Sequence, residues 1–194
     1  MNNSVKLKDD TEVVIRSLVK DDLKKLLAFF QKLPAEEKAY LRRDVTDQSV
    51  VEQRIREMEL NRVKRLVALY GDEIVADGAL ELEGHGWKEH VGEIRLIVAP
   101  AFRRKGLGMS MARELYFLAT GEKLEEIVVK MMKPQVAAHN IFKRLGFREQ
   151  ATFPEYVKDR SGAKQDLVVM RCDLESMWRE LEQFWEESDW HRTR

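Results

Sequence analysis

Two spacings of apolar residues run through the chain, and the changes between them divide it into elements. Glu12 to Ser17, with Val13, Val14 and Ile15, is a short branched run that suits a strand. Asp21 to Lys32 is charged but carries Leu23, Leu26, Leu27 and Phe30 at helical spacing, and Pro34 breaks it. Ala35 to Leu41 reads as a short helix, with Glu36 and Glu37 suited to its first turn. Asp47 to Leu60 reads as another, with Val50, Val51, Ile55 and Met58 on one side. Arg65 to Tyr70 and Ile74 to Leu82 are predicted strands around a tight Gly71-Asp72-Glu73 hairpin. Gly84 to His90 is a loop, and Val91 to Ala99 is a fourth strand that Pro100 ends. Met109 to Ala119 is a helix, Ile127 to Met131 a fifth strand, and Gln135 to Leu145 a helix closing at Gly146. Phe147 to Lys158 and Lys164 to Cys172 form a last hairpin around Asp159-Arg160-Ser161-Gly162.

The pattern changes after Cys172. Asp173 suits a helix cap, and Leu174, Met177, Trp178, Leu181, Phe184 and Trp185 recur at helical spacing. The expected organisation is one domain over residues 1–172 and an amphipathic helical extension over 173–194. That extension either packs on its own domain or makes a homodimer seam, with Trp178 and Trp185 as aromatic anchors.

Composition narrows the class of partner. Lys+Arg and Asp+Glu are each 34, so the net charge is zero. Neither nucleic acid nor a membrane surface is expected as the main partner. The single cysteine, Cys172, excludes an intramolecular disulfide and a cysteine-based zinc site, and no metal is expected. Met1 to Lys6 has no apolar signal region, and no apolar run approaches the ~18 residues of a membrane helix. A reducing cytoplasm is the expected setting.

Local charge must therefore do any anion binding. The clearest place is the turn after the fourth strand, Arg103-Arg104-Lys105-Gly106-Leu107-Gly108-Met109-Ser110. Strand, basic glycine turn and helix follow one another there. A helix N-terminus offers unpaired N–H groups and partial positive charge, and glycine lets the backbone approach an anion. Arginine and lysine add full charges, so the residues read as a phosphate cradle. It is not a P-loop, because Gly-x-x-x-x-Gly-Lys-Ser/Thr is absent. It is also an incomplete dinucleotide fingerprint, since Met111 stands where the third glycine belongs.

Arg103 to Gly108 matches Arg/Gln-x-x-Gly-x-Gly/Ala at every defined position. With the downstream Leu145-Gly146-Phe147 helix end, and a strand between the two, the chain resembles the GNAT superfamily of acyl-CoA-dependent N-acyltransferases. The likeness spans roughly Glu12 to Cys172 in element order, with its motifs between Glu93 and Phe147. It implies an α/β (α+β) fold: a mixed, mostly antiparallel sheet of about seven strands, flanked by helices, with strands four and five splayed. It implies acetyl-CoA as cosubstrate, gripped by Arg103, Arg104, Lys105, Gly106, Leu107, Gly108, Met109 and Ser110. Backbone groups near Leu96, Ile97 and Val98 would bind the pantetheine arm and polarise the thioester. The expected reaction is transfer of an acetyl group to a primary amine by direct attack in a ternary complex.

Such a transfer needs a proton acceptor, an oxyanion donor and, for the sulfur, a proton donor. By resemblance Glu93 is the candidate base; the plain alternative is a strand glutamate paired with Arg95 on the same face. His85 and His90 are alternative bases by their intrinsic pKa, or else ordinary residues of a surface loop. By resemblance the family's usual tyrosine falls at Phe142, which has no proton to give, and its asparagine at Gln135, or at Asn140 in an alternative register; Gln135 and Phe142 are expected to line the CoA site. Tyr156 and Tyr116 are the alternative proton donors, and Glu155 and Asp159 could attract a cationic amine. A second reading keeps the fold and removes the chemistry: an acyl-CoA-binding module for regulation or interaction, consistent with Phe142 in the acid's place.

Overall fold

The computed structural model describes residues 2–42, 45, 47–84 and 86–175. Its strands are β1 (Asn2–Lys6), β2 (Glu12–Ser17), β3 (Val63–Tyr70), β4 (Glu73–Leu82), β5 (Val91–Val98), β6 (Glu126–Met132), β7 (Arg148–Lys158) and β8 (Lys164–Asp173). Its helices are α1 (Leu23–Lys32), α2 (Ala35–Lys38), α3 (Gln48–Glu59), α4 (Leu107–Gly121) and α5 (Val136–Arg144). All eight strands join one sheet in the order β1-β2-β3-β4-β5-β6-β8-β7. Every neighbouring pair is antiparallel except β5 with β6.

The strand beyond the expected seven is β1. Its sequence is polar, yet Val5 pairs with Val13 and packs on the core, and Asn3 donates to the buried Glu114 carboxylate of α4 at 2.8 Å. An edge strand needs only one apolar position per side, which is too little to read from a period. Asp173 is the last residue of β8, opposite Glu126, and Leu174 and Glu175 turn helical directly after it. The tail residues Met177, Trp178, Leu181, Phe184 and Trp185 lie outside the described residues, as does His85.

Alternation along the strands gives the sheet two covered faces. Ile94 of β5 and Ile127, Val129 and Met131 of β6 pack with Leu107, Met111 and Leu115 of α4. Val67 of β3 and the half-buried Ile97 of β5 pack on the opposite face with Leu26, Phe29 and Phe30 of α1 and Val51 of α3. No helix among the described residues is long and apolar enough to cross a membrane.

Candidate active site

The parallel pairing of β5 with β6 runs only from Val91/Glu126 to Ile94/Val129. Beyond it β5 stays bonded to β4 as far as Val98, and β6 stays bonded to β8 as far as Met132. The two strands therefore part, and a V-shaped gap opens toward their C-terminal ends. Ala99 N–H donates to Val75 C=O at 2.9 Å, which fixes the alternation: odd residues of β5 direct their backbone to β4. Leu96 and Val98 thus aim N–H and C=O into the gap, whereas the backbone of Ile97 is turned toward Asp77 of β4.

Other side chains already close parts of the gap. Arg103 Nε donates to Val98 C=O at 3.1 Å, and Arg42 donates to Lys130 C=O at 3.3 Å. Gln135 sits at the start of α5 and accepts from Met132 N–H at 2.9 Å. Lys133 N–H bonds to β8, so by alternation this Met132 N–H is the one left facing the gap. Gln135 here caps the strand end.

The cradle lies at the gap's mouth on the α4 side. Gly106 precedes α4 with φ 98°, a left-handed conformation that costs another residue about 1–2 kcal/mol. Ser110 N–H donates to Gly106 C=O at 3.1 Å, which starts the helical ladder. The N–H groups of Leu107, Gly108 and Met109 precede that ladder, no side chain caps them, and the first turn holds no acid. Leu107 is fully buried and anchors the start of α4 in the core. Gly108 also serves the packing of the helices. A Cβ there would stand 2.8 Å from Ile141 Cδ1, so the glycine lets α4 approach α5.

The cations of the turn are not equivalent. Arg103 pairs with Glu37 of α2, and that carboxylate holds its guanidinium above the usual range despite some burial. Lys105 pairs with Asp9 at 2.8 Å and lies over the Phe102 ring. Arg104 is exposed at φ 58°, and among the described residues it has no ion-pair partner. One cation escaped sequence reasoning. Lys8, in the β1–β2 turn, donates its N–H to Lys105 C=O at 3.0 Å, and its Cγ lies 3.8 Å from where a Cβ on Gly106 would be. Its ammonium also has no ion-pair partner among the described residues. The signal available was a lysine near an unrecognised strand.

On the other face, Glu93 sits at the base of the gap. Lys130 Nζ is 2.7 Å and Arg42 2.5 Å from its carboxylate oxygens, with Arg95 Nε at 3.8 Å. Burial pushes this carboxyl up, but Lys130 and Arg42 together outweigh it and hold it below the ordinary value. Arg95 makes its closer pair with Glu81, at 2.7 Å.

The tyrosines are elsewhere. Tyr156 is exposed on β7, an outer strand separated from β6 by β8, and its ring meets Phe153 at 5.3 Å. Tyr116 is buried in α4 with no partner for its hydroxyl, and burial pushes its pKa up to about 12. Phe142 is buried, edge-on to Phe147 at 5.1 Å. His90 begins at the opposite end of β5, where its C=O receives Glu125 and Glu126 N–H. Asp159 accepts Ser161 and Ala163 N–H and organises the β7–β8 turn, whose Arg160 N–H reaches Ala39 C=O at 3.2 Å. Glu155 lies on the same outer strand as Tyr156, and its N–H bonds to Asp166. Among the described residues no three His, Cys, Asp or Glu side chains are grouped to hold a metal ion.

Solved structures share this arrangement of strands and helices. The ribosomal-protein-S5-alanine acetyltransferase of Vibrio fischeri aligns with a TM-score of 0.74 at 12% identity, over 88% of this chain and 96% of its own. The yncA protein of Salmonella typhimurium, solved with its cofactor acetyl-CoA, aligns at 0.72 and 20% identity, over 84% and 94%. A spermidine N-acetyltransferase SpeG chimera, from Vibrio cholerae and hSSAT, aligns at 0.71 and 18%, over 86% and 98%. No curated protein sequence matches the chain. The family model for the acetyltransferase (GNAT) family matches residues 25–147, which takes in most of α1, the parted strands, the cradle and the Leu145-Gly146-Phe147 helix end, and the chain belongs to that family.

Proposed function

We propose that this protein transfers an acetyl group from acetyl-CoA to a primary amine, by direct attack within a ternary complex. The observation that carries the reading is the parting of β5 from β6 beside an uncapped helix N-terminus. The CoA phosphates would lie on the N–H groups of Leu107 to Met109, with Ser110 beside them and Arg104 and Lys8, which have no ion-pair partner among the described residues, as the cations. Pantetheine would run into the gap and bond to backbone of Leu96 and Val98, much as a third strand would. An N–H there would face the thioester oxygen, where negative charge develops as the amine adds. Family membership supports acetyl transfer, and the acetyl-CoA held by the Salmonella typhimurium neighbour supports the cosubstrate.

Proton transfer falls to fewer groups than the sequence offers. Glu93 is ionised and engaged by two cations, so we read it as a positioning group that holds Arg42 and Lys130, and the proton that the amine loses on adding to the thioester passes to solvent water. The thiolate of CoA leaves without an acid from Phe142, Tyr116 or Tyr156, which a leaving group of ordinary thiol acidity permits.

Titration with acetyl-CoA, followed by release of free thiol with a panel of amines, tests the reading. Binding with amine-dependent release is expected. Binding without release would favour the regulatory module, to which Phe142 in the acid's place lends its support. Charge reversal at Lys8 or Arg104 should weaken acetyl-CoA binding about tenfold each, and more weakly at high salt. Unchanged affinity in both variants would remove the cradle as the phosphate site.

A further inference from the structure

We infer that the acceptor is a primary amine carrying its own carboxylate, received by a cationic mouth where β5 and β6 part on the face under α1 and α3. The inference rests on the acyl-transfer reading above, because it assigns acetyl-CoA to the α4 side and leaves this face to the acceptor. Arg95 on β5 and Lys130 on β6 stand on the two lips of the gap, and Arg42 reaches over Lys130 to its C=O. An amine approaching a thioester beside Leu96 passes between them.

Among the described residues the charge around this mouth does not balance. Arg42 and Lys130 share the single carboxylate of Glu93, and Arg95 shares Glu81 with a distant contact to Glu93. The network continues inward along the same face. Arg65 and Arg95 flank Ala79 in register on β3 and β5, and Arg65 bonds both oxygens of Asp77 at 2.7 Å. Arg54 of α3 comes within 3.5 Å of the same Asp77. Five cations thus meet three carboxylates among the described residues. The Nε groups of Arg65 and Arg95 are buried without a hydrogen bond, donors that a folded protein seldom leaves unused. Burial, reinforced by Arg65, pushes the Arg54 guanidinium down to about 10, as expected where counter-charge falls short.

A carboxylate beside the amine supplies the missing charge and acceptor oxygens, and a guanidinium binds it through two parallel bonds. A polyamine has the opposite fit. It meets Arg42, Arg95 and Lys130 before one glutamate already engaged.

The test uses the full chain saturated with acetyl-CoA and matched acceptors: L-amino acids, the same amino acids as amides, and spermidine. Free thiol release should favour acids over their amides by about tenfold or more in kcat/KM, the usual effect of one charged hydrogen bond. Arg42→Glu and Lys130→Glu should shrink or invert that ratio while acetyl-CoA affinity stays unchanged. Arg42→Gln and Lys130→Gln, which keep length and polarity, should shrink it without inversion and serve if charge reversal prevents folding. Amides or spermidine used as well as the acids would overturn the proposal, as would a ratio insensitive to every variant. So would bound acetyl-CoA with no amino acid acetylated. A wild-type protein that fails to bind acetyl-CoA would bring down the acyl-transfer reading itself, and this proposal with it.

Discussion

A carboxylate 2.7 Å from a lysine and 2.5 Å from an arginine keeps its charge and makes a weak proton acceptor at neutral pH. Glu93→Gln should therefore lower kcat less than about tenfold and act mainly on the KM of the acceptor. A general base would instead show a loss of ~10²–10⁴-fold that fades as pH rises. A pH–rate profile of the variant separates the two. At Phe142 the ring is buried against Phe147, so Phe142→Tyr places a hydroxyl in apolar surroundings. It should cost about 1–3 kcal/mol in denaturant unfolding and leave acetyl-CoA affinity unchanged. A faster thiol release with undiminished stability would put Phe142 on the thioester instead. The residue types of the cradle were legible in the sequence, but their engagements were not. Arg103 is met by Glu37, 66 positions away, and Lys105 by Asp9 from a turn that no periodicity announced. Composition shows a cation; only the fold shows whether it is spent.

At the scale of elements, α1 is tied to the sheet by a buried charged clamp at its entry, beside the exposed Lys32–Glu73 pair at its other end. Asp22, buried at the entry to α1, accepts from Arg16 of β2 at 2.6 and 2.8 Å and from Val19 N–H at 3.0 Å. Arg16 foremost, then the Val19 N–H, holds the Asp22 carboxyl below its ordinary value of 3.8 against the opposing effect of burial. A folded pKa below the unfolded one gives stability that is present above the unfolded value and lost as pH falls through the folded one. Asp22→Asn should therefore destabilise by about 2 kcal/mol at pH 7. The difference from the parent should narrow in urea unfolding as pH drops below 3.8. A constant difference across that range would assign the cost to shape rather than charge. The longer elements were readable because each carries a repeated apolar face: α1, α3, α4, and strands β3 to β6 all begin within a few residues of where the pattern predicts. The strand β1 was not, since its pairing is fixed by β2 and by a glutamate on α4. The end of the β5–β6 pairing was not legible from residue types either. Ile94 and Leu96 look alike in sequence, yet one is paired to β6 and the other is not.

For the whole molecule, zero net charge conceals a segregation that the total cannot reveal. The face of the sheet under α3 carries two chains of paired ions side by side, Arg54–Asp77–Arg65 and Glu81–Arg95–Glu93–Lys130. Removing one partner of a buried pair strands the other, whereas removing a surplus ion of the majority sign relieves repulsion and desolvation. Asp77 serves both Arg65 and Arg54, so Asp77→Asn should cost about 3–5 kcal/mol and lower the thermal midpoint sharply. Arg54→Met keeps an apolar stem, gives up the guanidinium whose Cζ lies 5.1 Å over the Phe30 ring, and leaves Asp77 still held by two bonds from Arg65. It should be neutral or raise the midpoint. A steep loss for Arg54→Met would mean that Asp77 needs both guanidiniums and that the network carries no surplus cation. If instead the variant is more stable but acetylates its acceptor less efficiently, the surplus charge is retained against stability. That outcome belongs to a binding face rather than to the core, because an ion that only filled space would be kept at no functional gain.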